Sequence, residues 1–295
     1  MLQYEMPEED RISEGKMSPT KPPGDDTEPD QLAGEEILAY TMKRRFPLPI
    51  DGIYRAMPHF ITLKVHGGLR HLKTKGTVIW VTKHQSIWDQ YFVRLLAVKV
   101  GGKNWNDVYV LAWGGDLPGK GFIPRLKELI MRLFFLLQNT GHSYLVTEGG
   151  RWRRDAKELA KRKEFVLLVS PEGPAIQMTQ ARLAAGILQR DLKVPVIPNA
   201  LWGLNPFQSL SQYALASFVE WLRCFPILKC LPNPFFPKKR LVANLMTGEP
   251  IYPFGDQGSE EDRQRIYQVY TDRIMMSLAT MLPEAFRGYY RDWVK

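Results

Sequence analysis

Cysteine is scarce: the 295 residues hold only Cys224 and Cys230. The two lack the Cys-x-x-Cys pairing of a zinc site, and so few thiols in a chain this long fit a reducing compartment rather than a disulfide framework. Long apolar runs are missing as well. The longest uncharged stretch, 194–219, is interrupted by Pro195, Pro198, Asn199, Pro206, Gln208 and Gln212, which excludes a spanning helix there. The chain does not open on a basic segment followed by an apolar run, so no secretory signal peptide is expected. Zinc-finger spacing and RNA-binding aromatic signatures are absent, which sets nucleic acid aside as a partner. No internal repeat is evident.

Charge is present in quantity and unevenly spread. Residues 1–36 carry 11 acids against 3 bases, whereas residues 37–295 carry 37 bases against 20 acids, a net +17 in the body of a chain whose total is +9. The acidic segment contains Pro7, Pro19, Pro22, Pro23 and Pro29 and almost no aromatic residue, a composition that predicts a disordered tail. The basic body, 37–295, is expected to form one folded domain. Its charge suits anionic lipid headgroups, the phosphates of coenzyme A or an acidic carrier protein.

The densest chemistry lies in His84-Gln-Ser-Ile-Trp-Asp89. Before it, Thr77-Val-Ile-Trp-Val-Thr82 is a short apolar, β-branched and aromatic run that predicts a buried strand. After it, Ile87, Tyr91, Leu95 and Val98 recur at helical spacing, with Ser86 as a candidate N-cap. His84 is therefore expected on a strand-to-helix turn and Asp89 in the first helical turn. A carboxylate that accepts a hydrogen bond from one imidazole nitrogen leaves the other free to act as a base.

Three further segments follow. Phe165-Val-Leu-Leu-Val-Ser-Pro-Glu-Gly-Pro174 predicts a buried strand ending in a Pro-Glu-Gly turn. Val194-Pro-Val-Ile-Pro198 comes next, and Leu241-Val-Ala-Asn-Leu-Met-Thr-Gly-Glu-Pro-Ile251 predicts a strand running into a Gly-Glu-Pro turn. This order resembles the glycerolipid acyltransferase family, which contains the 1-acylglycerol-3-phosphate acyltransferases and carries His-four-residues-Asp, Pro-Glu-Gly and Val-Pro-x-x-Pro motifs. The resemblance covers about residues 60–280.

The resemblance implies a general base at His84 with Asp89 as its orienting partner. It puts Glu172 and Gly173 in the acceptor-binding turn, and Val194, Pro195 and Pro198 at the wall of the acyl site. It also implies an acyl-CoA or acyl carrier protein donor, a lysolipid acceptor such as lysophosphatidic acid, no resident cofactor or metal, and a cytoplasmic, peripherally membrane-associated protein. Two departures stand out. Pro174 and Ala175 replace the family's Thr and Arg after Pro-Glu-Gly, and the Gly-rich segment that ends in a phosphate-binding arginine can be placed in two ways. By residue content, Gly121-Phe-Ile-Pro-Arg125 fits, with Arg125 as the ligand. By order of elements, Gly141-His-Ser-Tyr-Leu-Val-Thr147 fits, with Thr147 at the arginine's position and Arg151, Arg153 and Arg154 supplying the charge from the next helix. Arginine suits the task because its planar fork grips phosphate in a bidentate way.

Acylation of a phosphate-free lipid hydroxyl is one alternative, and a catalytically inactive basic membrane-binding module another. A serine hydrolase is set aside: Gly141-His-Ser143-Tyr-Leu145 has leucine where a nucleophile elbow needs its second glycine. Two stretches have the bulk to meet a membrane. Residues 125–137 read as a buried core helix. Residues 218–240, aromatic-rich, proline-broken and closed by Lys238-Lys-Arg240, read as an interfacial segment. The expected architecture is α/β, a mixed, largely parallel central sheet flanked by helices, as the acyltransferase resemblance implies. Residues 37–60 should cover the sheet, and a helix over 260–281 should close it, with Ile266, Val269, Tyr270, Ile274 and Leu278 along one side.

Overall fold

The computed structural model describes residues 34–39, 49–83, 89–113, 143–146, 151–172, 177–204, 210–254 and 262–294. Its centre is a sheet of seven strands in the order β1-β7-β6-β2-β5-β3-β4. These are β1 (Ile61–Val65), β2 (Val78–Thr82), β3 (Val108–Trp113), β4 (Ser143–Val146), β5 (Val166–Val169), β6 (Val196–Trp202) and β7 (Leu241–Thr247). β2 to β6 are mutually parallel, β7 is antiparallel to β6, and β1 is parallel to β7. The carboxyl ends of β2, β5 and β6 therefore share one end of the sheet with the starts of β1 and β7.

The central strands are predominantly apolar because both of their faces are covered. Every residue of β2, β5 and β6 is buried, as expected for parallel strands between two helical layers. Alternate side chains serve the two layers. Trp80 joins a core with Tyr54, Phe60, Phe92 and Leu96, while its neighbours Ile79 and Val81 join a second core with Leu188, Ile274 and Leu278. The first core is covered by α1 (Gly34–Leu38), α2 (Pro49–Phe60) and α3 (Asp89–Lys99). The second is covered by α4 (Arg151–Arg162), α5 (Ala184–Leu192), and the long helix that ends the sheet-covering layer, described below.

α6 (Leu210–Leu222) packs along α2, with Gly52 pressed so closely on the Ser217 carbonyl that a Cβ there would sit 2.1 Å from its oxygen. α7 (Arg263–Met281) closes the second face, and α8 (Glu284–Arg287) follows it. α1 starts three residues before the expected boundary at 37, and its Ile37 and Leu38 are in the core. The stripe on α7 also differs from expectation in one respect. Tyr267, Tyr270, Thr271, Ile274 and Leu278 face inwards, whereas Val269 is 47% exposed. At about 100° per residue, Val269 lies some 200° round from Tyr267, so the helix cannot bury both on one side. The tail before residue 34 and the 125–137 segment lie outside the described residues.

Candidate active site

β2 ends at Thr82, and the chain passes through Lys83 to His84. His84 itself lies outside the described residues, as do Ser86 and Ile87, but both flanks of the motif are placed. Lys83 is fully buried and its backbone N–H donates to the Asn199 carbonyl at 3.4 Å, extending the ladder to β6. Asp89 is 1% exposed and opens α3, where the unpaired amides and dipole of a helix start favour a carboxylate.

β5 ends beside β2 and delivers Ser170, Pro171 and Glu172 to the same end of the sheet. Glu172 is buried, and its Oε1 lies 4.0 Å from Lys83 Nζ. Its Oε2 accepts from the Thr179 backbone N–H at 2.6 Å and faces the Thr179 hydroxyl at 3.5 Å. The His-x4-Asp and Pro-Glu-Gly segments, some 80 residues apart in sequence, thus meet through one buried ion pair. Burial pushes the Lys83 amine below its ordinary range, and the Glu172 and Asp89 carboxylates pull it back. A cavity of about 10 Å³ is lined by Thr82, Asp89 and Ser170 among apolar neighbours, room for a single water. The Thr82 hydroxyl is buried there without a hydrogen-bond partner among the described residues.

Thr179 is held in turn by the C-terminal segment. The Met178 N–H donates to the Phe286 carbonyl and the Tyr289 N–H donates to the Met178 carbonyl, both at 2.9 Å. The Tyr290 hydroxyl accepts from the Ala181 N–H at 3.1 Å. Tyr290 is fully buried, and burial pushes its phenol up to about 12, so it stays protonated throughout the physiological range. Gly288 makes this close approach possible: at φ 50° a Cβ would sit 2.1 Å from the Met178 carbonyl oxygen. Gly288→Ala is therefore expected to displace the 178–181 segment, lowering stability by about 1–3 kcal/mol and slowing any turnover that needs Glu172. Urea unfolding checks this; an unchanged midpoint would show that the C-terminal segment does not brace the Glu172 turn.

The remaining expected residues are distributed as follows. Gly173 and Arg125 lie outside the described residues. Arg151 opens α4, directly after β4, the strand expected upstream of the charged helix. In that same helix Arg153 is already engaged, donating to Asp191 Oδ2 through Nη2 at 2.6 Å and Nε at 3.1 Å, and to the Tyr267 hydroxyl at 2.8 Å. Lys157 reaches the same Asp191 oxygen at 3.2 Å. Arg154 is exposed. Val194 and Pro195 precede β6 at the amino end of the parallel strands, away from the Lys83–Glu172 pair, whereas Pro198 pairs with Val81 one position below the Thr82–Asn199 step. The His66 Nε2–H donates to Asn244 Oδ1 at 2.9 Å and the ring stacks on Trp202, a structural role. Cys224 and Cys230 are free thiols.

Sequence reasoning missed Lys83, Thr179 and Tyr290. Lys83 had one visible signal, a charge placed directly between a fully buried strand and the His-x4-Asp motif. The other two depend on contacts between distant segments.

No family model matches the chain, and no curated protein matches it. Among solved structures, the 1-acyl-sn-glycerophosphate (LPA) acyltransferase PlsC from Thermotoga maritima is similar over 77% of this chain and 76% of its own, with 18% identity and a TM-score of 0.40. Likeness of that degree is too slight to carry a statement about activity. The α/β architecture with its mixed, largely parallel sheet stands on the strand pairing itself. Among the described residues, no helix is long and apolar enough to cross a membrane.

Proposed function

We propose that this protein is an O-acyltransferase that moves a fatty acyl group from a CoA or acyl carrier protein thioester to a hydroxyl of a lysolipid. The observation that carries the reading is the convergence of Lys83, Asp89 and Glu172, which flank or belong to the His-x4-Asp and Pro-Glu-Gly motifs, at the carboxyl end of a parallel sheet. That is where open α/β folds build their sites.

In the proposed reaction a ring nitrogen of His84 takes the proton of the acceptor hydroxyl as its oxygen attacks the thioester carbonyl. Asp89 holds the imidazole and stabilises the imidazolium. The developing oxyanion is met by backbone N–H groups at the turn into α3. When the tetrahedral intermediate collapses, the C–S bond breaks, the ester C–O bond remains, and the leaving thiolate takes the proton from His84. No metal and no covalent enzyme intermediate enters this scheme. Glu172 shapes the acceptor side from the Pro-Glu-Gly turn.

The acceptor's headgroup has a second reading. Pro174 and Ala175 stand where the resembled family has Thr and Arg, and Arg153 is spent on Asp191 and Tyr267. Both observations favour a lipid hydroxyl without a phosphate, leaving Arg125, Arg151 and Arg154 as the cations for a phosphate-bearing one. The test is release of free thiol from a long-chain acyl-CoA across a panel of lysolipids with and without phosphate. Selectivity for a phosphate-bearing acceptor that is lost in Arg151→Ala or Arg125→Ala assigns the phosphate ligand. Equal use of both acceptor types, unaltered in those variants, assigns the phosphate-free reading. Absence of acceptor-dependent thiol release throughout would contradict the proposal and leave the binding-module alternative.

A further inference from the structure

Between β6 and β7 the chain makes an excursion, 203–240, that leaves the sheet at Trp202 and re-enters at Leu241, opposite Ile61. Both points lie at the end of the sheet where β2 and β5 deliver Lys83 and Glu172. The excursion is apolar on its outside. On α6, Leu215 is 49% and Phe218 54% exposed. Beyond the helix Phe225 is 37% exposed, and Ile227, in the 3-10 turn Pro226–Leu228, is 95% exposed. The rings of Phe218, Trp221 and Phe225 follow one another at centroid spacings of 5.7 and 5.8 Å, which makes the patch continuous.

This is an ordered surface. The buried Glu220 carboxylate accepts from Arg223 at 2.6 Å and from Asn233 Nδ2 at 3.0 Å, Asn233 also donates to the Ala216 carbonyl, and Phe236 stacks on His59 at 4.0 Å. The base of the excursion is thereby clamped to α6 and α2 while Ile227 projects. The charge along it has one sign: residues 221–248 contain Arg223, Lys229, Lys238, Lys239 and Arg240 and no acid. Lys229, Lys238, Lys239 and Arg240 are exposed.

We propose that this excursion docks the protein on an anionic lipid bilayer, with Ile227 and Phe225 entering the headgroup layer and the exposed cations of the same segment meeting the anionic headgroups. An exposed apolar tip on a segment that carries exposed cations and no acid matches an anionic interface. A second copy of the chain fits poorly, because an isologous contact would set two acid-free cationic segments against each other. The docking deepens the acyl-transfer reading and rests on it for its purpose, but it is measured without any turnover.

The experiment is sedimentation of the full chain with phosphatidylcholine vesicles made with and without phosphatidylglycerol. Wild type is expected to bind the anionic vesicles and to release them in high salt. Ile227→Asp should weaken binding at least tenfold, since it removes the apolar bulk and adds a negative charge. Lys238→Gln with Lys239→Gln should weaken it about fivefold per lysine. Ile227 touches no core, so Ile227→Asp should unfold with wild type in urea. Binding by Ile227→Asp equal to wild type would overturn the proposal. So would wild type that ignores vesicles but binds an acidic carrier protein, or a dimer that Ile227→Asp dissociates without any vesicle binding. Failure of the docking leaves turnover of a soluble short-chain substrate intact, whereas failure of the acyl-transfer reading leaves vesicle binding intact.

Discussion

Lys83→Met is expected to destabilise the fold by about 3–5 kcal/mol, the cost of removing one partner from a buried ion pair. Lys83 and Glu172 side chains are both fully buried, and the Asp89 carboxylate also acts on the amine. Without the ammonium, the buried Glu172 carboxylate loses the cation 4.0 Å from its Oε1. Methionine nearly preserves the volume, so the loss reports charge rather than a cavity. Lys83→Met combined with Glu172→Gln should recover much of it, because the uncompensated carboxylate is gone. Urea unfolding of the single and double variants decides this. A single-variant loss below about 1 kcal/mol would mean that the pair contributes like an exposed one.

The same lysine has a signature in pH. Burial holds its folded-state value below the unfolded value of 10.5, against the pull of Glu172 and then Asp89. In the window just under 10.5 the unfolded chain therefore binds more protons than the folded one, and stability rises with pH there. Lys83→Met should lose this rise while keeping the contributions of other alkaline groups. Among those, Tyr290 acts oppositely, since its value is raised to about 12: its contribution is present below the ordinary tyrosine range and is lost as pH climbs through the raised value.

The second large effect concerns His84. Residues 84–88 are bracketed by two buried charged residues, Lys83 at the end of β2 and Asp89 at the start of α3. Under the proposed scheme His84 is the one group that removes the acceptor's proton, so His84→Ala should slow thiol release about 10²–10⁴-fold, the usual contribution of a positioned base. Asp89→Asn should also slow it, because an amide can neither stabilise the imidazolium nor hold the same tautomer. Folding is not expected to depend on His84, whereas Asp89 and Lys83 belong to the buried cluster. Their variants therefore need unfolding curves beside the rates.

Much of the fold was legible because the strands that matter are short, predominantly apolar and bounded by breakers. Val78–Thr82, Val166–Val169 and Leu241–Thr247 lie where the β-branched runs put them. The helix over 263–281 was legible from its period, but Val269 was assigned to the wrong side because a valine carries no mark of which flank of a stripe it occupies. The resemblance singled out Asp89 and Glu172, and both are buried at the same end of the sheet. What surrounds them was not legible.

Nothing in a sequence says that Lys83 turns inwards, because its burial is decided by Glu172, 89 positions away. Likewise Arg153 looks like a phosphate ligand until Asp191 and Tyr267, 38 and 114 positions away, are seen to occupy its fork. Gly288 looks like an incidental glycine until the Met178 carbonyl is found against it. Each of these is a long-range contact whose partners are set by sheet order, and the order β6-β2-β5 is not written in any single segment.

The central claim is that His84 is the base of an acyl transfer at the carboxyl end of this sheet. Its most direct test is the rate of acceptor-dependent thiol release from a long-chain acyl-CoA, wild type against His84→Ala, with matching urea unfolding curves. The account predicts a loss of about 10²–10⁴-fold in rate with unfolding unchanged; equal rates in the two proteins would contradict it.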